Sequence, residues 1–193
     1  MNIEVKNSVK PIDYIESMKV LEQRVHDVFL GKKDELLWII EHKPVYTAGI
    51  SSKKIDLLDK NLNVIKTNRG GKYTYHGPGQ KVVYFVLNLN KREKDIKKLV
   101  GKIENCIMEI LKEYKIVSYK DNKNIGIWVG GKKNSMKIAA IGIRVKKWIA
   151  YHGFSLNIST DLSKYNKIIP CGIKDKGITS LKSIGLSNFN NIN

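Results

Sequence analysis

The chain has 193 residues, 42% of them hydrophobic and 27% charged, with 35 basic against 18 acidic side chains and a formal net charge of +17 at pH 7. That length supports one well-packed domain and is short for two, so residues 1–193 are read as a single domain whose polar tail, 187–193, is expected to fray. Residues 1–10 lack the apolar stretch of a secretory signal, no run is long enough to span a membrane, and two cysteines, Cys106 and Cys171, are too few for a disulfide-stapled secreted scaffold, which makes a cytoplasmic location the expectation.

In chain order, Pro11 followed by Ile15, Met18, Leu21, Val25 and Val28 predicts an amphipathic helix ending near Gly31. Leu36–Ile40 and Val45–Ile50 read as buried strands separated by Pro44. Val64–Thr67 and Tyr73–Tyr75 read as short strands flanking the turn Arg69-Gly70-Gly71. His76-Gly77-Pro78-Gly79-Gln80 is a loop, because proline between glycines opposes regular structure, and Val82–Leu89 is a strand. Asp95–Tyr114 carries Leu99, Ile103, Ile107, Ile110 and Tyr114 at helical spacing, with Cys106 at the border of that face and expected to be buried and inert. From there the pattern turns to strands: Ile125–Val129, Lys137–Val145 and Trp148–Ile158, two of the turns being short enough for hairpins. The succession predicts an α/β (α+β) fold, a mixed β-sheet with packed helices.

The charge raises the possibility of nucleic-acid binding. Only Arg24, Arg69, Arg92 and Arg144 are arginine, however, and the other 31 basic side chains are lysine, which lacks the bidentate fork used to read bases and phosphates. The lysines are read as a solvated surface or as a field for an acidic protein partner, with neither nucleic acid nor membrane as a partner. Gly70-Gly71-Lys72-Tyr73-Thr74 lacks the first glycine and the Lys-Ser/Thr pair of a phosphate loop. His26, His42, His76 and His152 are dispersed, so no metal site is expected.

What remains is Cys171 in Ile168-Ile169-Pro170-Cys171-Gly172-Ile173. Proline fixes the backbone before the thiol and glycine lets a substrate approach the main chain after it. This local pattern fits a nucleophile on a turn and a buried small hydrophobe equally. A thiol with an ordinary pKa near 8.5 is mostly protonated at neutral pH, so a nucleophile needs a neighbouring cation or base. Lys137, opening the apolar run Lys137-Ile138-Ala139-Ala140-Ile141-Gly142, is the candidate, although spacing alone does not single it out among the lysines.

Three blocks together resemble the lipoyl(octanoyl) transferase family (octanoyl-acyl carrier protein:protein octanoyltransferase): Arg69 to Gln80, Lys137 to Gly142 with Tyr151 to Asn157, and Pro170-Cys171-Gly172-Ile173. Glu41 to Thr47 and Gly177 to Leu181 are similar to the flanking segments, so the likeness covers nearly the whole chain. The resemblance implies a biotin/lipoate protein ligase-like catalytic domain, an acyl-thioester on Cys171 and a Lys137 that lowers the thiol's pKa. It places Arg69, Gly70, Gly71, Lys72, Tyr73, Thr74, Tyr75, His76, Ala140, Ile141, Gly142, Gly153, Phe154 and Ser155 at the substrate site. Lys72, Phe85 and Ser155 stand where the family more often has an uncharged residue, proline and alanine.

Given that resemblance, Gly70, Gly71, Gly142 and Gly153 would make room for an extended acyl chain, with ordinary turn geometry as the alternative, and Ile141 and Phe154 can wall it. Arg69 could bind a partner or brace the glycine turn, His76 could orient the site or be structural, and His152 leans structural. The implied partners are octanoyl-acyl carrier protein as donor and, as acceptors, the lipoyl domains of 2-oxoacid dehydrogenase complexes and the glycine cleavage H protein. Neither ATP nor a metal is expected, and the chain is expected to be a monomer. The alternatives are an ATP-dependent lipoate or biotin ligase of the same fold, an octanoyl amidotransferase and, outside enzymes, a basic nucleic-acid-binding protein.

Overall fold

The computed structural model describes residues 2–131, 134–173 and 176–186, the side chain of Cys171 excepted; the expected fraying of 187–193 falls outside them. Eleven strands and two α-helices are present: β1 (Ile3–Asn7), α1 (Tyr14–Phe29), β2 (Glu35–Ile40), β3 (Val45–Ala48), β4 (Val64–Lys66), β5 (Tyr73–His76), β6 (Gln80–Asn88), α2 (Ile96–Glu113), β7 (Ser118–Lys120), β8 (Ile127–Val129), β9 (Met136–Lys146), β10 (Ile149–Asn157) and β11 (Gly177–Ile178). The main sheet runs β1-β2-β6-β10-β9-β8-β7, with β11 paired to β9 in line with β10. It is mixed: β1–β2 and β9–β11 are parallel and the other pairs antiparallel. A second sheet, β4-β3-β5, stands beside it. This is the mixed sheet with packed helices that the sequence predicts.

The helices cover opposite faces of the main sheet. On α1, Leu21, Val25 and Val28 bury against Leu36, Trp38, Val82, Tyr84 and Val86. On α2, Ile103, Ile107 and Leu111 bury against Phe85, Leu89, Ile127, Ile138, Ala150 and Leu156. Each such fully buried aliphatic side chain contributes about 1.5–3 kcal/mol. No helix among the described residues is long and apolar enough to cross a membrane.

Several boundaries differ from the sequence reading for identifiable reasons. Pro11 does not open α1: Ile12 bridges His42, and Asp13 caps the helix by accepting from Ile15 N at 2.8 Å and Glu16 N at 3.2 Å. Cys106 is exposed on α2, because the buried stripe continues through Leu111 rather than Ile110. Trp148 belongs to the turn between β9 and β10, where Lys147 (φ 51°) and Trp148 (φ 62°) both take positive φ without a glycine. The turn is held by Leu89 N donating to Trp148 O at 2.7 Å and by Lys147 Nζ over the Phe29 ring, 4.3 Å from its centroid. β1 was not anticipated; its residues are all exposed, so it has no burial period to read.

Candidate functional site

A cleft of about 520 Å³ opens where the upper halves of β9 and β10 meet the loop between β4 and β5. Small residues shape it. Gly142 pairs with Gly153 and Ala140 with Ser155 across β9 and β10, so side chains that would fill the trough are missing. Gly153 is fixed by packing as well as space: a Cβ there would overlap the Val83 carbonyl of the neighbouring strand. Val82 and Tyr84 of β6 continue the lining, and Ile96 and Val100 of α2 with Ile141, Ile143 and Phe154 add apolar wall.

The glycine turn lies along the part of β9 beyond the end of β8. Gly70 N donates to Ile143 O at 3.2 Å and Arg144 Nη1 to Asn68 O at 3.2 Å. Arg69 turns its guanidinium back on this loop, donating to Gly70 O (2.9 Å), Lys72 O (2.9 Å) and Thr47 Oγ1 (2.7 Å). Of the two roles left open by the sequence, the geometry gives Arg69 the bracing one.

Lys137 is 3% exposed, on β9. A register shift between β8 and β9 makes Trp128 its cross-strand partner, so Nζ lies 4.8 Å from the Trp128 ring centroid and donates to Ile125 O at 2.9 Å. Among the described residues no carboxylate forms an ion pair with it. Gly126, at φ 130°, makes room for this side chain; a Cβ there would sit 3.2 Å from Lys137 Cε, 3.3 Å from Nζ and 2.6 Å from Ala139 O. Sequence reasoning placed Gly126 inside a strand. A lone glycine in a strand pattern is a bulge signal and could have marked it.

Cys171 lies in a single 3-10 turn, Pro170–Gly172, closed by Ile173 N donating to Pro170 O at 3.1 Å. Gly172 adopts φ 65°, the left-handed conformation that favours glycine. The thiol lies outside the described residues, but Gly172 and Ile173 line the same cleft as Lys137. Lys72 meets them from the glycine loop: a Cβ on Gly172 would overlap its Nζ, which lies 3.9 Å from Asp56 Oδ2.

Gly70, Gly71, Tyr73, Thr74, His76, Ala140, Ile141, Gly142, Gly153, Phe154 and Ser155 line this cleft, together with Arg69, Lys72 and Lys137. Tyr75 does not. It packs instead in a cluster with Tyr46 and Tyr165, with ring centroids at 5.1 and 6.0 Å.

Beneath the cleft sits a buried set of imidazoles and phenols. His76 Nδ1–H donates to Gln80 Oε1 at 2.6 Å, and Gln80 Nε2 in turn donates to Asn157 Oδ1 at 2.9 Å. Tyr84 OH donates to His42 Nε2 (2.7 Å), whose Nδ1–H donates to Ile12 O (3.0 Å). His152, at φ 67°, donates from Nε2 to Asn68 Oδ1 at 2.7 Å and leaves Nδ1 buried without a hydrogen bond. Burial lowers the pKa of His76 and His152 to about 3 and that of His42 to about 4, so all three are neutral imidazoles at neutral pH.

The model of the lipoyl protein ligase A/B catalytic domain matches residues 13–191. The chain belongs to this family. It is 47% identical over 175 residues to the octanoyltransferase of Wolbachia pipientis subsp. Culex pipiens, covering 90% of this chain and 85% of that one. It is 49% identical over 187 residues to the octanoyltransferase of Ehrlichia chaffeensis, covering 96% and 87%. Among solved structures it is similar to lipoate-protein ligase A bound with ATP (TM-score 0.74, 14% identity, 98% of this chain and 80% of that one). It is also similar to the T. acidophilum protein Ta0514 with bound lipoic acid (TM-score 0.70, 13% identity, 98% and 80%). At such identities the two structures establish the fold alone.

Proposed function

We propose that this protein is an octanoyltransferase of lipoate biosynthesis, moving an octanoyl or lipoyl group from acyl carrier protein to a lysine of lipoyl domains through an acyl-thioester on Cys171. The observation that carries the reading is a buried ammonium without a carboxylate partner among the described residues, lining one glycine-floored cleft with the residues that follow Cys171. The names of the two relatives support the acyl group.

In the first half-reaction the Cys171 thiolate attacks the donor's thioester carbonyl, a new C–S bond forms, and the carrier's thiolate leaves with a proton from Lys137. In the second, the acceptor's lysine amine attacks the enzyme thioester, the C–N bond forms, neutral Lys137 takes the amine proton, and the departing sulfur is again the thiolate beside an ammonium. Exchange of one thioester for another is nearly balanced and thioester to amide is downhill, so this scheme needs no ATP, metal or cofactor. Arg69 holds the loop that walls the substrate, and the Gly142–Gly153 pair leaves the acyl chain its space. In this reading the acceptors are the lipoyl domains of 2-oxoacid dehydrogenase complexes and the glycine cleavage H protein, and the chain acts as a cytoplasmic monomer.

Intact mass after mixing with octanoyl-acyl carrier protein should show one octanoyl adduct on the wild type and none on Cys171→Ala. An adduct that survives that substitution refutes the mechanism. Acyl transfer to a lipoyl domain that stops on removal of ATP would assign the chain to ligase chemistry instead.

A further inference from the structure

Beside the cleft, three large apolar side chains project from nine consecutive residues: Ile50 is 70% exposed, Ile55 71% and Leu58 57%. Exposed apolar residues occur elsewhere too, at Ile3, Val5 and Val9 and at Val117, but on segments that contribute no residue to the cleft. Exposed Lys54, Lys60 and Lys66 line one groove with Ile50, and exposed Lys53 precedes Lys54 in the chain. The carboxylates of the same stretch are occupied: Asp56 is buried facing Lys72, and Asp59 pairs with Lys167 at 3.3 Å. The stretch therefore presents exposed apolar side chains beside exposed lysines.

Its position ties it to the site. Ser51 N donates to Gly71 O at 3.1 Å and lines the cleft. On the far side the loop is joined to the segment that leads into Pro170–Gly172: Ile169 N donates to Asp56 O (2.8 Å), Leu58 N to Lys167 O (3.0 Å), and Leu57 bridges Ile168. A partner seated on Ile55 and Leu58 would rest on the loop that carries the turn of Cys171.

The geometry points to this surface, Ile50–Leu58 with Lys53, Lys54, Lys60 and Lys66, as the docking site of the acidic carrier that delivers the acyl thioester. The inference rests on the octanoyl-transfer reading. An acceptor lysine is short, so its domain must sit over the cleft mouth. A carrier holds its acyl group on a long prosthetic arm, so its body docks to one side, and an acidic body complements apolar side chains beside lysines.

The test is kinetic, on the full chain. Ile55→Ser and the pair Lys53→Glu with Lys54→Glu are compared with wild type using octanoyl-acyl carrier protein and, separately, octanoyl-pantetheine, which has the arm without the carrier body. Acylation by the carrier should fall roughly 10- to 100-fold in kcat/KM, more for the charge pair at low salt, as expected for loss of a steered docking contact. Acylation by octanoyl-pantetheine and transfer from preacylated enzyme to a lipoyl domain should be unchanged. Equal loss with both donors, loss confined to the acceptor step, no loss at all, or a wild-type self-association abolished by Ile55→Ser would each overturn the proposal. Wild-type protein acylated by neither donor would instead remove the octanoyl-transfer reading.

Discussion

The two faces of the main sheet are built on opposite rules. Under α2, Ile103, Ile107 and Leu111 meet Phe85, Leu89, Ile138 and Leu156, a layer of aliphatic and aromatic carbon. Under α1 the apolar packing of Leu21, Val25 and Val28 gives way, toward the cleft, to His42, His76, Tyr84 and His152 in a hydrogen-bonded set, with glycines where side chains would be. One face stores stability in close packing. The other gives up packing for space and for polar groups that stay affordable only while neutral.

Acid should expose this difference most strongly. Each of the three imidazoles has a folded pKa below the ordinary 6.5, so the unfolded chain takes protons first. Stability is complete above pH 6.5 and declines as pH falls toward about 4 for His42 and about 3 for His76 and His152. Between pH 6.5 and 5 the loss should be about 2 kcal/mol per histidine, and urea midpoints across that range would measure it. His76→Gln should flatten the slope; an unchanged slope would mean that these rings are not buried neutral.

A smaller effect should come from the other face. Ile107→Ala leaves a cavity in the α2 layer and should cost about 2–5 kcal/mol in denaturant unfolding. The transfer rate of the remaining folded protein should be unaltered, since Ile107 does not line the cleft. A fall in kcat for fully folded enzyme would break the separation between the faces.

The smallest change sharpens the comparison within the cleft. Gly126→Ala forces an L side chain into φ 130° and against the Lys137 ammonium. Octanoyl transfer should fall roughly tenfold, about 1.4 kcal/mol in barrier, through displacement of that group. The pH at which Cys171 is alkylated by iodoacetamide should shift with it, a readout that a merely loosened fold would leave in place.

The sequence could be read where burial imposes a period. α2, the runs forming β2 and β6, and the two long strands β9 and β10 all follow from apolar spacing. It could not be read where an element is held only by its neighbours. β1 has no buried residue, β11 has two residues, and the turn at Lys147 and Trp148 carries no glycine to announce it. Tyr75 was grouped with the site through its motif, yet it packs against Tyr46 and Tyr165 and does not line the cleft.

By itself the sequence determined the family, through its motif blocks taken jointly, and offered Cys171 on a Pro-Gly turn, Lys137 opening an apolar strand and the glycine blocks as candidates for the site. Those depend on local chemistry that a linear pattern carries. Only the tertiary structure decided that Arg69 braces its own loop, that Gly126 clears the path of Lys137, that Lys72 lies against Gly172, and that Ile55 and Leu58 ride on the segment leading to Cys171. These contacts, whether within one loop or between distant segments, are fixed by sheet register and loop docking, which no hydrophobic pattern encodes.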